Sequence, residues 1–274
     1  FIATIHDLIM LELPYSARAT TKGPLVHGFK HAAFRVVLEN AIHKSRHILT
    51  VSNYTRQSIL KHFGVKTDKI NVVPNGVIPP REARSVSLTA LGVYEPYFLY
   101  VGNAYPHKNI EMMMHAFAQF HKNHPYTQLV IAGRRDVFSH RLEKEADELG
   151  IKGEAVRFID LPTDEELAAL YKNANLFIFP SKIEGFGIPP LEAMSYGTPV
   201  AAANTSSIPE VCKHAAQYFE PDDIEALVEL MRQGADEPER FTQSIKDGLE
   251  VSRGYTWKKT AKMTLDIYNN QSLL

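Results

Sequence analysis

Short apolar runs alternate with amphipathic stretches along most of this chain. In the amino-terminal part they predict strands at 1–5, 47–51 and 70–73 and helices at 28–44 and 54–63. Six further strands are predicted at 97–101, 128–132, 155–158, 176–179, 199–202 and 217–219. The helices predicted between them lie near 109–123, 139–149, 164–173, 189–195 and 223–234. Such alternation indicates an α/β fold built on parallel, doubly wound sheets.

Composition adds little to this picture. With 274 residues, of which 45% are hydrophobic and 22% charged, and a formal net charge of -1, the chain can bury a substantial core and has no bulk attraction to nucleic acid. No apolar run approaches the roughly 18 residues of a membrane span. Cys212 is the only cysteine, which excludes an internal disulfide and a cysteine-built zinc site. A reducing, cytoplasmic setting is therefore expected.

The segment after the predicted strand at 176–179 carries the strongest chemical signal. Residues 180–193 read PSKIEGFGIPPLEA, in which two carboxylates flank a glycine-bearing turn and two prolines suit the first turn of a helix. In an open parallel sheet, ligands bind outside the carboxyl ends of the strands. Glu184 would project from the loop at such a ligand, and Glu192 would lie about two turns further along. One carboxylate can then face a sugar and the other a ribose.

These residues resemble the signature of the retaining glycosyltransferases of family 4. Further matching segments extend the resemblance over nearly the whole chain: VVPNGV at 72–77, YVG at 100–102 with KN at 108–109, IAG at 131–133 and GTPV at 197–200. The resemblance implies the GT-B fold, in which two Rossmann-like domains face each other across a cleft. It also implies that 72–77 is the crossing between the domains and that the loop after 100–102 binds phosphate.

The resemblance divides the chain into three parts. An acceptor-side Rossmann-like domain is expected at 1–80, a donor-binding Rossmann-like domain at 81–252, and a helix that returns to the first domain at 253–274. Residues 78–87, with two prolines and mixed charges, are predicted to be a linker. The first domain is expected to be incomplete, because a domain of this kind usually needs about 100–200 residues. A piece of a longer protein, a shortened chain and one half of a split enzyme all fit this expectation.

In the family, the residue matching Glu184 bonds the hydroxyls of the donor sugar, and the residue matching Glu192 bonds the ribose of the nucleotide. The alternative is a pair of solvent-facing glutamates, whose charge suits the start of a helix. The glycines also let the main chain approach a ligand closely. The backbone N–H groups expected to meet the sugar and the phosphates are those of Gly185, Phe186, Gly187 and Ile188.

The loop after 97–101 departs from the family in one position. Many members carry an Arg just after the glycine and a Lys further on, both on the diphosphate, whereas here Asn103 follows Gly102 and the lysine is Lys108. Three readings follow from the missing charge. Lys108 acts with backbone N–H groups alone, or a cation after Gly133, such as Arg134 or the adjacent Arg135, helps to bind the phosphates. A slower or absent catalysis is the third reading.

His6 follows the first predicted strand, where the family commonly carries a histidine that faces the donor sugar from the opposite domain. Orientation and acceptor-side hydrogen bonding are its expected roles, and a purely structural histidine at a strand end is the alternative. Glu210 matches a family position near the donor. Ser207 as a helix N-cap and Pro209 in the first turn explain most of that stretch without a ligand.

The expected activity is metal-independent and retaining transfer of a hexose from a nucleotide-diphosphate sugar, with GDP-mannose favoured. No Asp-x-Asp pair occurs in the chain, and no cofactor is expected besides the donor substrate. The expected acceptor is a glycan or a lipid-linked saccharide. Two alternatives stay open: a donor-binding module that needs a partner chain or second copy for its first strands, and a related phosphorylase or epimerase. Lys22, Lys30 and Arg35 form either a membrane-facing patch or a solvated helix face.

Overall fold

The computed structural model describes residues 1–13, 24–80, 86–151 and 153–270. Its amino-terminal part contains three parallel strands in the order β1 (Ile2–Ile5), β2 (His47–Thr50) and β3 (Ile70–Val72). The helices of this part are α1 (Ile9–Glu12), α2 (Pro24–Lys44) and α3 (Asn53–Phe63). A small core forms where one face of α2 and α3 meets the sheet, and it includes Leu38, Ile42, Ile48 and Ile59.

The carboxyl-terminal part is built on a six-stranded parallel sheet. Its strands are β4 (Tyr97–Val101), β5 (Gln128–Gly133), β6 (Val156–Asp160), β7 (Leu176–Phe179), β8 (Val200–Ala203) and β9 (Gln217–Phe219). They lie in the order β6-β5-β4-β7-β8-β9. The order reverses between β4 and β7, which makes the carboxyl ends of these two strands the switch point where doubly wound sheets bind ligands.

Eight helices belong to the described carboxyl-terminal part of the chain. They are α4 (Ile110–His121), α5 (Val137–Glu148), α6 (Asp164–Asn173), α7 (Ile188–Ser195), α8 (Ile208–Cys212), α9 (Ile224–Asp236), α10 (Thr242–Arg253) and α11 (Trp257–Asn270). Capping boxes fix where two of them begin, with Asp136 before α5 and Thr163 before α6. The central strands are continuously apolar because helices bury both faces of a parallel sheet. Phe98 and Leu99 of β4 and Phe177 of β7 are fully buried.

The two parts touch along a pair of crossing segments. Val77 donates its N–H to Tyr255 O at 3.0 Å and forms a parallel bridge with Thr256. A Cβ added to Gly76 would lie 2.2 Å from the backbone nitrogen of Trp257, so only glycine fits at this contact. The Thr260 hydroxyl of α11 also donates to Pro74 O at 2.7 Å.

The α/β class and the parallel sheets predicted from the sequence are confirmed. Several helix and strand ends match the predictions, and the others differ by at most four residues, as expected for boundaries predicted from periodicity. Two short helices, α1 and α8, have four and five residues and are too short to show a helical period. Residues 81–85 of the predicted linker, and Lys22 of the basic patch, lie outside the described residues.

Candidate functional site

An ion pair lies at the switch point of the larger sheet. Lys108 ends a short 3-10 turn after β4, and Glu184 stands in the loop after β7. The Lys108 Nζ atom lies 2.5 Å from Glu184 Oε1, and the two side chains are only 15% and 10% exposed. Because neighbouring parallel strands end at the same edge, residues 76 positions apart become partners here. Sequence reasoning selected both residues but did not predict that they pair.

Hydrogen bonds link the two loops that carry this ion pair. Asn109 adopts a left-handed conformation with φ 58°, and its side-chain amide donates to Pro180 O at 3.2 Å and Pro221 O at 2.7 Å. The Lys182 N–H donates to His107 O at 2.8 Å.

Burial, together with the adjacent Lys108 charge, lowers the pKa of His107 to about 4. His107 is therefore neutral at neutral pH and leaves Lys108 as the cation of this turn.

The loop at 184–188, which we call the donor loop, is held by hydroxyl groups on its carbonyl side. Ser207 Oγ is within hydrogen-bond distance of Glu184 O at 2.9 Å and of Phe186 O at 3.1 Å. Ser52 Oγ donates to Gly185 O at 2.6 Å. Among the described residues, none accepts a hydrogen bond from the backbone N–H groups of Gly185, Phe186, Gly187 or Ile188. In this part of the chain, a ligand would meet no competing acceptor for these four donors.

The end of β1 lies directly against the donor loop. A Cβ added to Gly185 would stand 2.3 Å from His6 O and 2.9 Å from the Asp7 Cβ, so a side chain at this position would push the two parts of the chain apart. The His6 side chain itself is exposed. The structure thus places His6 next to the donor loop through its backbone and leaves its imidazole open to solvent.

Gly102 begins the phosphate-binding loop predicted from the sequence, and it packs against Gly133 at the end of β5. A Cβ on Gly133 would lie 2.0 Å from Gly102 O, so the ends of β4 and β5 can approach this closely only without side chains. Asn103 is exposed, and its carbonyl accepts the Tyr100 hydroxyl at 2.8 Å. Arg134 is exposed at the same edge of the sheet.

Of the two candidate extra cations, Arg135 is already engaged. Its guanidinium pairs with Glu143 of α5, and its N–H donates to Asp160 Oδ1 at 2.8 Å. The ion pair with Glu143 places the charge of Arg135 beside α5. Arg134 therefore fits the position of an added phosphate-binding cation better than Arg135.

Glu192 lies on α7 with a partner that sequence reasoning missed. Its Oε2 accepts the Tyr171 hydroxyl at 3.0 Å, and the Tyr171 ring stacks on Tyr196 with 5.7 Å between centroids. Burial raises the pKa of Glu192, the Tyr171 hydrogen bond opposes this, and the Asp164 charge adds to it. A cavity of about 60 Å³ opens beside these side chains and the exposed Ile78. The only signal for Tyr171 in the sequence is a hydroxyl on an otherwise apolar helix face.

Glu210 contacts the amino-terminal part of the chain. Its carboxylate accepts the Asn53 N–H at 2.8 Å and the Tyr54 N–H at 3.1 Å, together with the Asn53 side-chain amide at 3.0 Å. It therefore caps α3 from the other part of the chain. Ser207 is the N-cap residue of α8, as predicted, but its hydroxyl makes no cap bond and contacts the donor loop instead.

The comparison with known families decides the class of the protein. Residues 89–249, more than half of the chain, match the family described as glycosyl transferases group 1, and residues 1–81 match glycosyltransferase family 4. The chain belongs to the family 4, group 1 glycosyltransferases. This confirms the resemblance that the sequence motifs carry.

Curated relatives of this glycosyltransferase include two mannosyltransferases. The O-antigen chain mannosyltransferase RfbU of Salmonella typhimurium is 33% identical over 222 residues, which cover 80% of this chain and 56% of that protein. The O-antigen chain mannosyltransferase B of Escherichia coli is 29% identical over 286 residues, which cover 97% of this chain and 69% of that protein. The chain thus spans between about half and two thirds of the length of these relatives.

Solved structures share the fold of this glycosyltransferase. Sucrose-phosphate synthase from Thermosynechococcus elongatus superposes with a TM-score of 0.80 at 24% identity, covering 99% of this chain and 68% of that one. WaaG, a glycosyltransferase involved in lipopolysaccharide biosynthesis, superposes with a TM-score of 0.78 at 19% identity, covering 97% and 74%. The GT-B fold predicted from the sequence is confirmed.

The described residues show neither a metal-binding cluster nor a helix suited to cross a membrane. They contain no group of three or more His, Cys, Asp or Glu side chains placed to hold a metal ion. Within the same ranges, none of the helices combines the length and the apolar character needed to span a bilayer.

Proposed function

We propose that this glycosyltransferase transfers a hexose, with retention of configuration and without a metal ion, from a nucleotide-diphosphate sugar to a glycan or lipid-linked acceptor. The observation that carries the proposal is the Lys108–Glu184 pair at the switch point, beside the free N–H groups of the donor loop. A diphosphate needs positive charge and N–H donors, and sugar hydroxyls need a carboxylate acceptor. Both are present within one edge of the sheet.

The ion pair is compatible with a site that binds such a donor. Each charge of the pair compensates the other, which is required because both side chains are largely buried. A bound donor would offer diphosphate oxygens to Lys108 and hydroxyl groups to Glu184, so both would exchange one partner for another. The free N–H groups of the donor loop would add neutral donors to the leaving phosphate. Glu192, two turns into α7, would accept from the ribose.

We infer GDP-mannose as the donor and a growing glycan as the acceptor. The support is that the two curated relatives are both named O-antigen chain mannosyltransferases. UDP-glucose is the second candidate, because the structure of Anabaena HepE, a neighbour with a TM-score of 0.77 and 17% identity, was determined in complex with UDP-glucose. Metal independence is supported by the absence of an Asp-x-Asp pair from the sequence.

Transfer to a lipid-linked acceptor would bring the chain to a membrane surface. Helix α2 is the element that suits contact with that surface. Its solvent-facing side exposes Phe29 and Val37 beside the cations Lys30 and Arg35. Co-sedimentation with anionic vesicles tests this part of the proposal. Phe29→Ser should reduce binding, and equal binding of both proteins would contradict it.

Thermal unfolding with GDP, UDP, ADP and TDP and their sugars, in the presence of EDTA, tests the donor site. Stabilisation by GDP and GDP-mannose is expected in the wild-type chain and not in Glu192→Ala. Glu148→Ala, which removes an exposed carboxylate of α5, is the matched control and should keep the response. No stabilisation by any nucleotide in the folded chain would refute the proposal. Binding without transfer or hydrolysis of the sugar would favour a donor-binding module that needs a partner chain.

A further inference from the structure

The hydroxyl of Ser52 reaches the donor loop from the other part of the chain. Ser52 is fully buried, and its Oγ donates to Gly185 O at 2.6 Å, although 133 residues separate them. Thr55 Oγ1 stands 3.3 Å from the same carbonyl oxygen. Ser52 also caps α3, because its Oγ accepts the Thr55 N–H at 3.1 Å. The Ser52 hydroxyl therefore caps a helix in one part of the protein and binds a loop carbonyl in the other.

We propose that Ser52 is a positioning residue of the donor loop, acting through the peptide plane between Gly185 and Phe186. In a trans peptide the C=O and the N–H point in opposite directions. Holding Gly185 O against Ser52 therefore turns the Phe186 N–H away from Ser52, to the side where it has no protein partner. This inference rests on the proposed function, since it assigns the freed N–H group to the donor.

The neighbouring planes are fixed in the same way from within the larger part. Ser207 contacts Glu184 O and Phe186 O, which turns the N–H groups of Gly185 and Gly187 to the opposite side. Only the middle plane depends on a hydroxyl from the amino-terminal part. Gly185, on the amino side of that plane, leaves it free to rotate when it is not held.

The donor loop is thus complete only when the two parts of the chain are together. Glu210 holds the same start of α3 through Asn53 and Tyr54, so Ser52 is kept in register with the loop that it binds. Separation of the two parts would release the Gly185 carbonyl, and the Phe186 N–H would no longer be held in one direction. Through Ser52, the acceptor-side part thereby controls the geometry of the donor loop.

Two substitutions separate this role from helix capping. Ser52→Gly and Ser52→Ala both remove the hydroxyl that binds Gly185 O, but glycine is a nearly adequate N-cap and alanine is not. Ser45→Ala is the control, because Ser45 is also buried and its Oγ donates to a backbone carbonyl, Ile42 O at 3.2 Å. Amide hydrogen exchange over 183–188 and binding of GDP-mannose, GDP and GMP are the measurements.

Faster exchange over 183–188 is expected in both Ser52 variants and not in Ser45→Ala. Affinity for the intact nucleotide sugar should fall about tenfold in both, a change of about 1.4 kcal/mol, while affinity for GMP should stay the same. Unchanged exchange in Ser52→Gly, or a loss confined to Ser52→Ala, would overturn the proposal. If the wild-type chain binds no nucleotide, the proposed function fails, and the exchange measurement still decides whether Ser52 positions the loop.

Discussion

The ammonium group of Lys108 lies 2.5 Å from Oε1 of Glu184, at the point where the strand order of the larger sheet reverses. The two residues follow β4 and β7, the pair of strands from which the sheet is wound in opposite directions. Each side chain is largely buried, so each charge needs the other as its partner. The contact is therefore both a structural element and the feature that a donor would have to rearrange.

Removing one member of this pair should cost more than removing both. Lys108→Met leaves the Glu184 carboxylate buried without a partner, and we expect the free energy of unfolding to fall by about 2–4 kcal/mol. Glu184→Gln should have a smaller effect of the same sign. The double variant should be more stable than Lys108→Met alone, so its loss should fall short of the sum of the two single losses by about 1 kcal/mol or more.

Urea unfolding of the four proteins gives the coupling energy of the pair. Lys182→Met is the control, since Lys182 pairs with Asp222 at 2.6 Å on the exposed surface, where ion pairs contribute about 0–1 kcal/mol. Simple additivity of Lys108→Met and Glu184→Gln would show that the two charges do not stabilise each other.

The raised pKa of Glu192 should make the wild-type chain lose stability as pH rises. Between the ordinary value of 4.5 and the raised value, the folded chain binds more protons than the unfolded chain. The stabilisation that Glu192 contributes to the folded chain is therefore present below pH 4.5 and is lost as pH rises through the raised pKa. Glu192→Gln should remove this loss, and Tyr171→Phe should enlarge it because the phenol favours the charged carboxylate.

Urea unfolding between pH 4 and pH 7 measures the effect of Glu192. The comparison that matters is the difference between wild type and Glu192→Gln at each pH. A difference that does not change over this range would contradict a raised pKa for Glu192.

His107 should act in the opposite direction. Its pKa is lowered from 6.5 to about 4, so between these values the unfolded chain binds more protons, and stability falls as pH decreases below 6.5. Nuclear magnetic resonance titration of the imidazole should give a midpoint near pH 4. His107→Gln assigns the resonance and should flatten the acid side of the stability curve. Lys108→Met should raise the midpoint only in part, because burial is the larger cause. A midpoint near 6.5 in the wild-type chain would refute this account.

Glu210→Gln should loosen the contact between the two parts of the chain. The carboxylate accepts N–H groups from Asn53 and Tyr54 and also acts on the positive end of α3, and an amide supplies only one acceptor oxygen and no charge. We expect the free energy of unfolding to fall by about 1–2 kcal/mol. Glu250→Gln, an exposed change on α10, should stay within about 0.5 kcal/mol of wild type. Equal stability of the two variants would argue against an interdomain cap at Glu210.

Much of the fold and the choice of loops could be predicted before the structure. The strands β4 and β7 are continuous apolar runs, and the prolines and glycines of 180–193 mark the turn from β7 into α7. These are local features, and a periodic pattern or a turn residue carries them directly. The same local features placed Glu184 and Lys108 at strand ends, where ligands bind.

The role of Ser207 shows where such reasoning fails. A serine before Ile208 and Pro209 has the pattern of an N-cap, and the helix does begin there. The hydroxyl nevertheless binds carbonyls of the donor loop, which are 21 and 23 residues away in sequence. A local pattern predicts that a polar group needs a partner but cannot choose between a near and a distant one.

The sequence by itself determined the α/β class, the parallel sheets and the ends of strands at which the charged and glycine residues stand. Only the tertiary structure decided the pairings: Lys108 with Glu184, Ser52 with Gly185, and Glu210 with Tyr54, which are 76, 133 and 156 residues apart. Strand and helix patterns follow from the spacing of apolar residues along a few turns. The partner of a buried polar group depends on the strand order and on how the two parts of the chain dock, and no spacing along the chain encodes either.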